Sequence, residues 1–340
     1  MNERKSVVFF GLGPVGQAIA REVLRRGELR VVGAVDKDPA KAGRDLGELL
    51  EGEELGIVVR ADSAAALAEA RPDLVLLSTT SSLERIRPQV LEILAAGAGI
   101  VTTCEEMSFP WSAQTELAEE IDRAARAAGV AVLSTGVNPG FLMDYLPSTV
   151  SGLCRDVERV EVERLMDAAP RRQAFRDKIG AGATVEEFER RVAEGNLRHV
   201  GLTESVQMIA RAVGWELERV DETIEPVVAA ERIETGSRTS QTSQTSPTVE
   251  PGQVAGVLQV ARGLLDGAEK ITLTFRAAIG QPEPHDRLLI EGTPRIDLRI
   301  DGGVHGDLAT CNVVVNSIPA VLAASPGLKT MLDLALTGRG

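Results

Sequence analysis

The feature that most constrains this chain is a turn near its start. Residues 6–10 (SVVFF) are a short apolar run that ends in Gly11-Leu12-Gly13-Pro14-Val15-Gly16. An amphipathic stretch follows, with Val15, Ala18, Ile19, Val23 and Leu24 at helical spacing. A buried strand that enters a helix through three glycines so spaced can hold a dinucleotide. The first glycine permits the tight turn, the second lets the backbone approach a pyrophosphate, and the third lets the helix pack closely on the strand. The helix N-terminus adds unpaired N–H groups and a partial positive charge. Pro14 costs nothing there, because its missing N–H would be unpaired in the first turn anyway. Residues 29–36 (LRVVGAVD) form a second strand, and Asp36 stands 20 residues after Gly16, near the spacing at which an acid meets the adenosine ribose. Gly11, Gly13, Pro14, Val15, Gly16 and Asp36 thus read as a site for NAD or NADP. Asp36 favours NAD, because a carboxylate repels a 2′-phosphate. Lys37 and Lys41 soften that exclusion, although both also suit a solvated surface. The competing reading is a glycine-rich turn without a ligand.

The rhythm after this turn extends the pattern. Asp38-Pro39 reads as an N-cap with proline opening a helix. Strand-like runs return at 57–59, 74–78, 100–103 and 130–133, with amphipathic helices at 83–96 and 114–128. That alternation implies a parallel sheet covered on both faces, the doubly wound Rossmann fold. The pattern changes near residue 150. Residues 157–166 alternate, placing Val160, Val162, Arg164 and Met166 on one face. Thr184-Val-Glu-Glu187 is a capping box that opens a helix ending near Gly195, and a second helix covers 203–213. Segment 217–235 reads as strand and turn, and the polar stretch 236–251 reads as a mobile surface loop. Residues 253–278 fit either a helix or a hairpin turning at Asp266-Gly267, and the hairpin is preferred. Residues 288–291 and 296–300 make an antiparallel pair, and the last thirty residues look helical. The fold class is therefore α/β, a doubly wound Rossmann domain plus an α+β domain with an open, mostly antiparallel sheet. The first domain covers 1–140, with 307–336 packing back on it, and the α+β substrate and dimerisation domain covers 141–306.

Charge and cysteine usage exclude some partners. The net charge of −13 opposes nucleic acid, which needs a basic stripe. No apolar run is read as a membrane span or a signal peptide. Cys104, Cys154 and Cys311 are widely spaced, show neither metal-ligand spacing nor a disulfide framework, and suit a reducing cytoplasm. No metal site is expected.

Ligands of such a sheet bind outside the carboxyl ends of its strands. The fourth strand ends in Ser78, Thr79 and Thr80, small hydroxyl residues that can line a cofactor's path. The fifth ends in Thr103-Cys104-Glu105-Glu106, and the sixth in Gly136-Val-Asn138-Pro139-Gly-Phe141. Glu105 and Glu106 are the sharpest catalytic candidates, since a carboxylate partly stripped of water can shuttle protons near neutral pH. Neighbours on an extended chain point opposite ways, so one of the two is expected to face solvent or cap a helix. Arg164, on an apolar strand face, is either an ion-paired structural residue or a substrate anchor. His199, His285 and His305 each fall in a turn-like context.

The motifs TTCEEMSFP, GVNPGFLMD, KIGAG, RHVGLTES, EPGQVAG and GGVHGDLATCNVVVNSIP together resemble the 2,4-diaminopentanoate dehydrogenase family, which includes native amine dehydrogenases. The resemblance covers nearly the whole chain. It implies a dihydrodipicolinate-reductase-like arrangement, a homodimer, and reversible oxidative deamination of an amine or diamino acid with NAD(P). In reverse, a ketone or aldehyde condenses with ammonia and receives hydride. It places proton handling on the acidic pair, with Glu106 preferred because the similar E-K-P pattern of sugar oxidoreductases carries its lysine at the second place. A carboxylate there suits an iminium cation, which an ammonium would oppose. The resemblance adds Thr103 and Cys104 to the cofactor's surroundings. It implies a polar substrate wall of Asn138, Arg164 and His199, with Pro139, Phe141, Leu142 and Met166 narrowing the pocket. An alcohol or sugar dehydrogenase of the glucose–fructose oxidoreductase type, or a dinucleotide sensor without chemistry, are the rival readings.

Overall fold

The computed structural model describes residues 4–171, 173–234, 248–336 and 338. The chain forms two compact units, residues 1–141 with 305–340 and residues 142–304.

The first unit begins with β1 (Ser6–Phe10), which is buried throughout. Helix α1 (Pro14–Arg26) starts on proline and ends at Gly27, whose φ of 63° supplies the left-handed stop. Then come β2 (Arg30–Val35), α2 (Leu46–Leu49), β3 (Val59–Arg60), α3 (Ser63–Ala70), β4 (Leu74–Leu77), α4 (Leu83–Ala95), β5 (Gly99–Thr102), α5 (Thr115–Ala128) and β6 (Ala131–Ser134). The helix expected at Asp38-Pro39 does not form. Asp38 instead accepts the Ala40 N–H at 3.0 Å, closing a local turn that competes with a helix start. The next helix is the single turn α2, capped by Asp45.

The second unit carries α6 (Tyr145–Ser151), β7 (Asp156–Asp167), α7 (Gln173–Lys178), α8 (Val185–Ala193), α9 (Leu202–Val213), β8 (Arg219–Val228), β9 (Ile233–Glu234), β10 (Thr248–Val249), β11 (Val254–Leu265), β12 (Ala268–Ala278), β13 (His285–Thr293) and β14 (Ile296–Asp301). Thr184 caps α8 as expected, accepting the Glu187 N–H at 3.2 Å. Strands β11 and β12 are the two arms of the hairpin. The helix-like spacing there arises because β11 is buried on both faces, which erases the alternation of a half-exposed strand. The main sheet runs β14-β13-β7-β12-β11-β8, with β7 and β12 parallel and its other pairs antiparallel. Helices α6 and α9 touch each other and lie on this sheet. Most of the loop expected at 236–251 lies outside the described residues, but Thr248–Val249 at its end is a strand paired with β9.

The chain then returns to the first unit as α10 (Gly306–Ala323) and β15 (Gly327–Lys329). The last thirty residues are thus not all helical, because β15 pairs in parallel with β6 and extends the sheet. The seven-stranded order is β15-β6-β5-β4-β1-β2-β3, parallel throughout. The strand order reverses at β1 and β4, the place where ligands enter such sheets. By length and composition α10 could cross a membrane, which the sequence reading overlooked. It packs against α1 and β5 and serves as a core helix, pinned by Arg26 to Asn316 at 2.6 Å.

Candidate active site

The three glycines do different work. Gly11 has a φ of +91°, and a Cβ there would stand 2.4 Å from the Ser78 carbonyl. A Cβ at Gly16 would come within 1.9 Å of the Gly11 carbonyl. Close packing inside the protein therefore demands both. A Cβ at Gly13 would meet nothing within 4 Å, so no contact of the folded chain asks for glycine there. The open space beside it fits a pyrophosphate brought against the backbone. Gly13 is also the N-cap of α1, and that helix has no side-chain cap and no acid in its first turn. Its positive end is left to an anion.

Asp36 closes this cradle. Its Oδ2 accepts the Leu12 N–H at 2.7 Å and the Lys41 ammonium at 3.0 Å, while Oδ1 accepts the Asp38 N–H at 2.9 Å. Burial pushes its carboxyl up, but the Asp38 and Leu12 N–H groups and Lys41 outweigh that and hold it below its ordinary value. Lys41, not the exposed Lys37, is the cation that meets Asp36. Past the end of β4, Thr79 donates to Gln89 at 2.6 Å and Thr80 accepts the Ser82 N–H at 3.3 Å. Ser78 and Thr103 are half-buried beside them. Cys104 is buried beside them. Its side chain lies in the apolar core, where burial pushes the thiol far up.

The acidic pair sits on a single 3-10 turn, Glu105–Met107, not on an extended chain. Both residues are half-buried. Glu106 Oε2 accepts the Leu83 N–H at 2.9 Å and the Gln114 amide at 3.1 Å, and its own N–H donates to the Ser81 carbonyl at 3.2 Å. It thereby caps α4, whose N-cap Ser82 makes no side-chain bond. The Glu105 carboxylate makes no hydrogen bond among the described residues. Past β6, Asn138 and Pro139 are buried and Phe141 is half-buried. The turn that holds them needs Gly140, because a Cβ there would stand 2.3 Å from the Gly136 nitrogen.

In the second unit one cross-strand row is polar where its neighbours are apolar. The register aligns Asp286 of β13 with Arg164 of β7, Arg164 with Phe275 of β12, and Phe275 with Gln259 of β11. Arg164 is only 2% exposed. It donates to Asp286 at 3.2 Å and to the Val304 carbonyl at 2.9 Å. Burial pulls its pKa down, with Asp286 opposing, and burial pushes Asp286 up against the attraction of Arg164. Of the two readings of Arg164, the ion pair is present, and its partner comes from β13. His199 stacks on Phe275 with ring centroids 4.3 Å apart. Burial lowers its pKa to about 3, with Lys178 and Arg164 adding to the shift, so the ring is neutral at physiological pH. Met166 is half-buried at the end of the same strand as Arg164, and Leu142 is buried beside α6. His285 lies within β13, not in a turn, because pairing with β7 and β14 extends it. His305 caps α10. Asp286, Gln259 and Phe275 were missed by the sequence reading. Only Gln259 carried a signal, as the one amide in the apolar run VAGVLQVA. Among the described residues no cluster of three or more His, Cys, Asp or Glu could hold a metal.

A strand, glycine turn and helix in a parallel sheet, with an acid ending β2, define a dinucleotide-binding oxidoreductase fold. Residues 141–338 match the family model of the 2,4-diaminopentanoate dehydrogenase C-terminal domain. The chain is 33% identical to a 2,4-diaminopentanoate dehydrogenase of Acetoanaerobium sticklandii, over 98% of this chain and 94% of that one. An amine dehydrogenase of Streptomyces virginiae is 25% identical over 97% and 96% of the two chains. Among solved structures, an amine dehydrogenase from Mycobacterium smegmatis has a TM-score of 0.84 at 25% identity, covering 99% of this chain and 98% of that one. A dihydrodipicolinate reductase from Paenisporosarcina shares the fold, with a TM-score of 0.53 at 16% identity over 97% and 99% of the chains. The chain belongs to the 2,4-diaminopentanoate dehydrogenase family, and it is a dehydrogenase.

Proposed function

We propose that this chain is an NAD(P)-dependent amine dehydrogenase that interconverts a small amine or diamino acid with its ketone or aldehyde and ammonia. The observation that carries this reading is the acidic pair after β5, in the same sheet as the dinucleotide cradle. The cradle residues would be Gly11, Gly13, Pro14, Val15, Gly16 and Asp36, with Ser78, Thr79, Thr80 and Thr103 along the cofactor's path. Asp36 favours NAD, and Lys41 moderates that preference.

In the oxidative direction the amine carbon loses hydride and becomes an iminium carbon. Water then adds to it, and nitrogen leaves as ammonia. The nicotinamide, when bound, accepts that hydride and returns it in the reverse reaction. The protein must take a proton from the substrate ammonium, take in turn both protons of the water that becomes the carbonyl oxygen, and give one to the departing nitrogen. A carboxylate can do all three, and it stabilises the cationic iminium. Because Glu106 is engaged at the start of α4, we assign the proton transfers to Glu105 and give Glu106 the role of holding the turn. This reverses the order that the E-K-P comparison suggested. Within the second unit, Leu142, Arg164, Met166 and His199 are the residues proposed to meet substrate, and in the first unit Asn138, Pro139 and Phe141 are proposed for the same role.

We also assign the working form to a homodimer in a reducing cytoplasm. The second sheet's other face carries Glu161, Glu163, Leu165, Thr272, Thr274 and Arg276, all only half-buried. A face of mixed charge is one that a second copy can complement across a two-fold axis. The deciding assay is NAD(P)H oxidation with small ketones, with and without ammonium. Turnover that needs ammonium is expected, and ammonium-independent turnover would point to an alcohol or sugar dehydrogenase instead.

A further inference from the structure

Gln259 is fully buried in the middle of β11, with no exposed surface. An amide there is costly unless every polar atom finds a partner. Its Oε1 accepts the His199 N–H at 2.7 Å. Its Nε2 donates to the His199 carbonyl at 2.8 Å and to Glu222 Oε1 at 2.8 Å. The side chain thus bonds the backbone of His199 as a neighbouring strand would, at both its donor and its acceptor. The amide can sit only one way round, because a flipped amide would set N–H against N–H and oxygen against oxygen. Glu222 holds the same orientation from β8, two residues along from Ile224, the register partner of Gln259. Phe275, the register partner of Gln259 on β12, lies under the His199 ring at an interplanar angle of 13°.

We propose that Gln259 is the positioning residue for His199, fixing its backbone at two points so that the imidazole rests flat on Phe275 as a rigid hydrogen-bonding group of the substrate wall. Residue 199 belongs to no helix or strand, and a side chain in such a segment would otherwise sample several rotamers. The clamp and the stack together remove that freedom before substrate arrives, which is preorganisation. The inference rests on the reading that His199 meets substrate, but the clamp itself can be tested apart from it.

The test compares the wild-type chain with Gln259→Met, similar in size but unable to make the two bonds. Three readouts apply: the His199 ring resonances by NMR in the protein without substrate, the dinucleotide affinity by titration, and the steady-state constants. The His199 ring signals should lose their ring-current shift from Phe275. Dinucleotide affinity should stay within about twofold, while KM for the carbonyl substrate rises about tenfold, the scale of one or two lost hydrogen bonds. His199→Ala should raise KM similarly, and the double variant should be no worse than either single one. Unmoved His199 ring signals in a folded Gln259→Met protein would overturn the proposal, as would additive effects in the double variant. Should Gln259→Met fail to fold, Gln259→Glu carries the same readouts. It keeps the acceptor for the His199 N–H and loses both donations, and Glu222→Gln in the same chain should restore the bond between residues 259 and 222 with residue 222 now donating, and recover part of the ring signal. If the wild-type chain turns over no amine or ketone, the proposed function fails, whereas the ring resonances still decide whether Gln259 holds His199.

Discussion

Gly13 and Gly16 are indistinguishable as letters, and their surroundings separate them. Gly13 has φ −67° and ψ −179°, a backbone any residue adopts, and nothing stands within 4 Å of its would-be Cβ. Gly13→Val should therefore fold with little loss of stability yet bind dinucleotide at least tenfold more weakly, since about 1.4 kcal/mol separates each tenfold step. Gly16→Ala should instead lower the melting temperature, because its Cβ would collide with backbone 1.9 Å away and something must shift. Thermal unfolding and dinucleotide titration on both variants check the split, and equal effects would contradict it. The acidic pair yields a second contrast. Glu105→Gln should abolish turnover and leave dinucleotide affinity nearly unchanged, whereas Glu106→Gln keeps an oxygen for the Leu83 N–H and should retain measurable activity. The opposite result would return the proton transfers to Glu106, as the E-K-P register has it. His199 gives a pH dependence. Its pKa falls from 6.5 to about 3 in the folded chain, so between those values the unfolded chain binds the extra proton. Stability from this group is therefore complete above pH 6.5 and drops as pH falls, by at most about 1.4 kcal/mol per pH unit. Urea midpoints at pH 7 and pH 5 should drop more for the wild type than for His199→Gln, and identical drops would refute the assignment.

Elements were legible where local chemistry and period agreed. The capping box at Thr184 specified α8 because cap and periodicity coincide, and Thr184→Ala should cost about 1 kcal/mol in denaturant unfolding, the usual worth of such a cap. Asp38-Pro39 shows the opposite case. The same residue types open a helix or close a turn, and no amphipathic stretch follows to decide for the helix. β11 misled in another way. A central strand buried on both faces has no alternation, so its letters fit a helix until the Asp266-Gly267 turn is weighed. β15 is three residues long, too short for any period, and it exists as a strand because the edge of β6 was open to pair with it.

Within the second unit, a central ion pair joins residues that no sequence window contains together. Arg164 and Asp286 are 122 positions apart, and their pairing follows from the register of β7 against β13. Arg164→Met should destabilise the fold by roughly 3–5 kcal/mol, because it strands a buried carboxylate. Adding Asp286→Leu should recover much of that loss, as measured by urea unfolding, and a single-variant cost near zero would mean the pair is dispensable. The same register sets Phe275 and Gln259 in line with Arg164, which is why the polar row could not be read from the letters. The sequence by itself determined the Rossmann unit, the glycine turn with Asp36, the acidic pair and the change to an antiparallel architecture. Each of these rests on contacts within about thirty residues, the span of one βαβ unit. Only the tertiary structure decided which carboxylate is tied to a helix start, which lysine meets Asp36 and what lies beside Arg164 and His199. The first two turn on where side chains settle after the chain folds locally, and the last depends on register between distant strands, where a shift of one residue would turn every side chain to the other face.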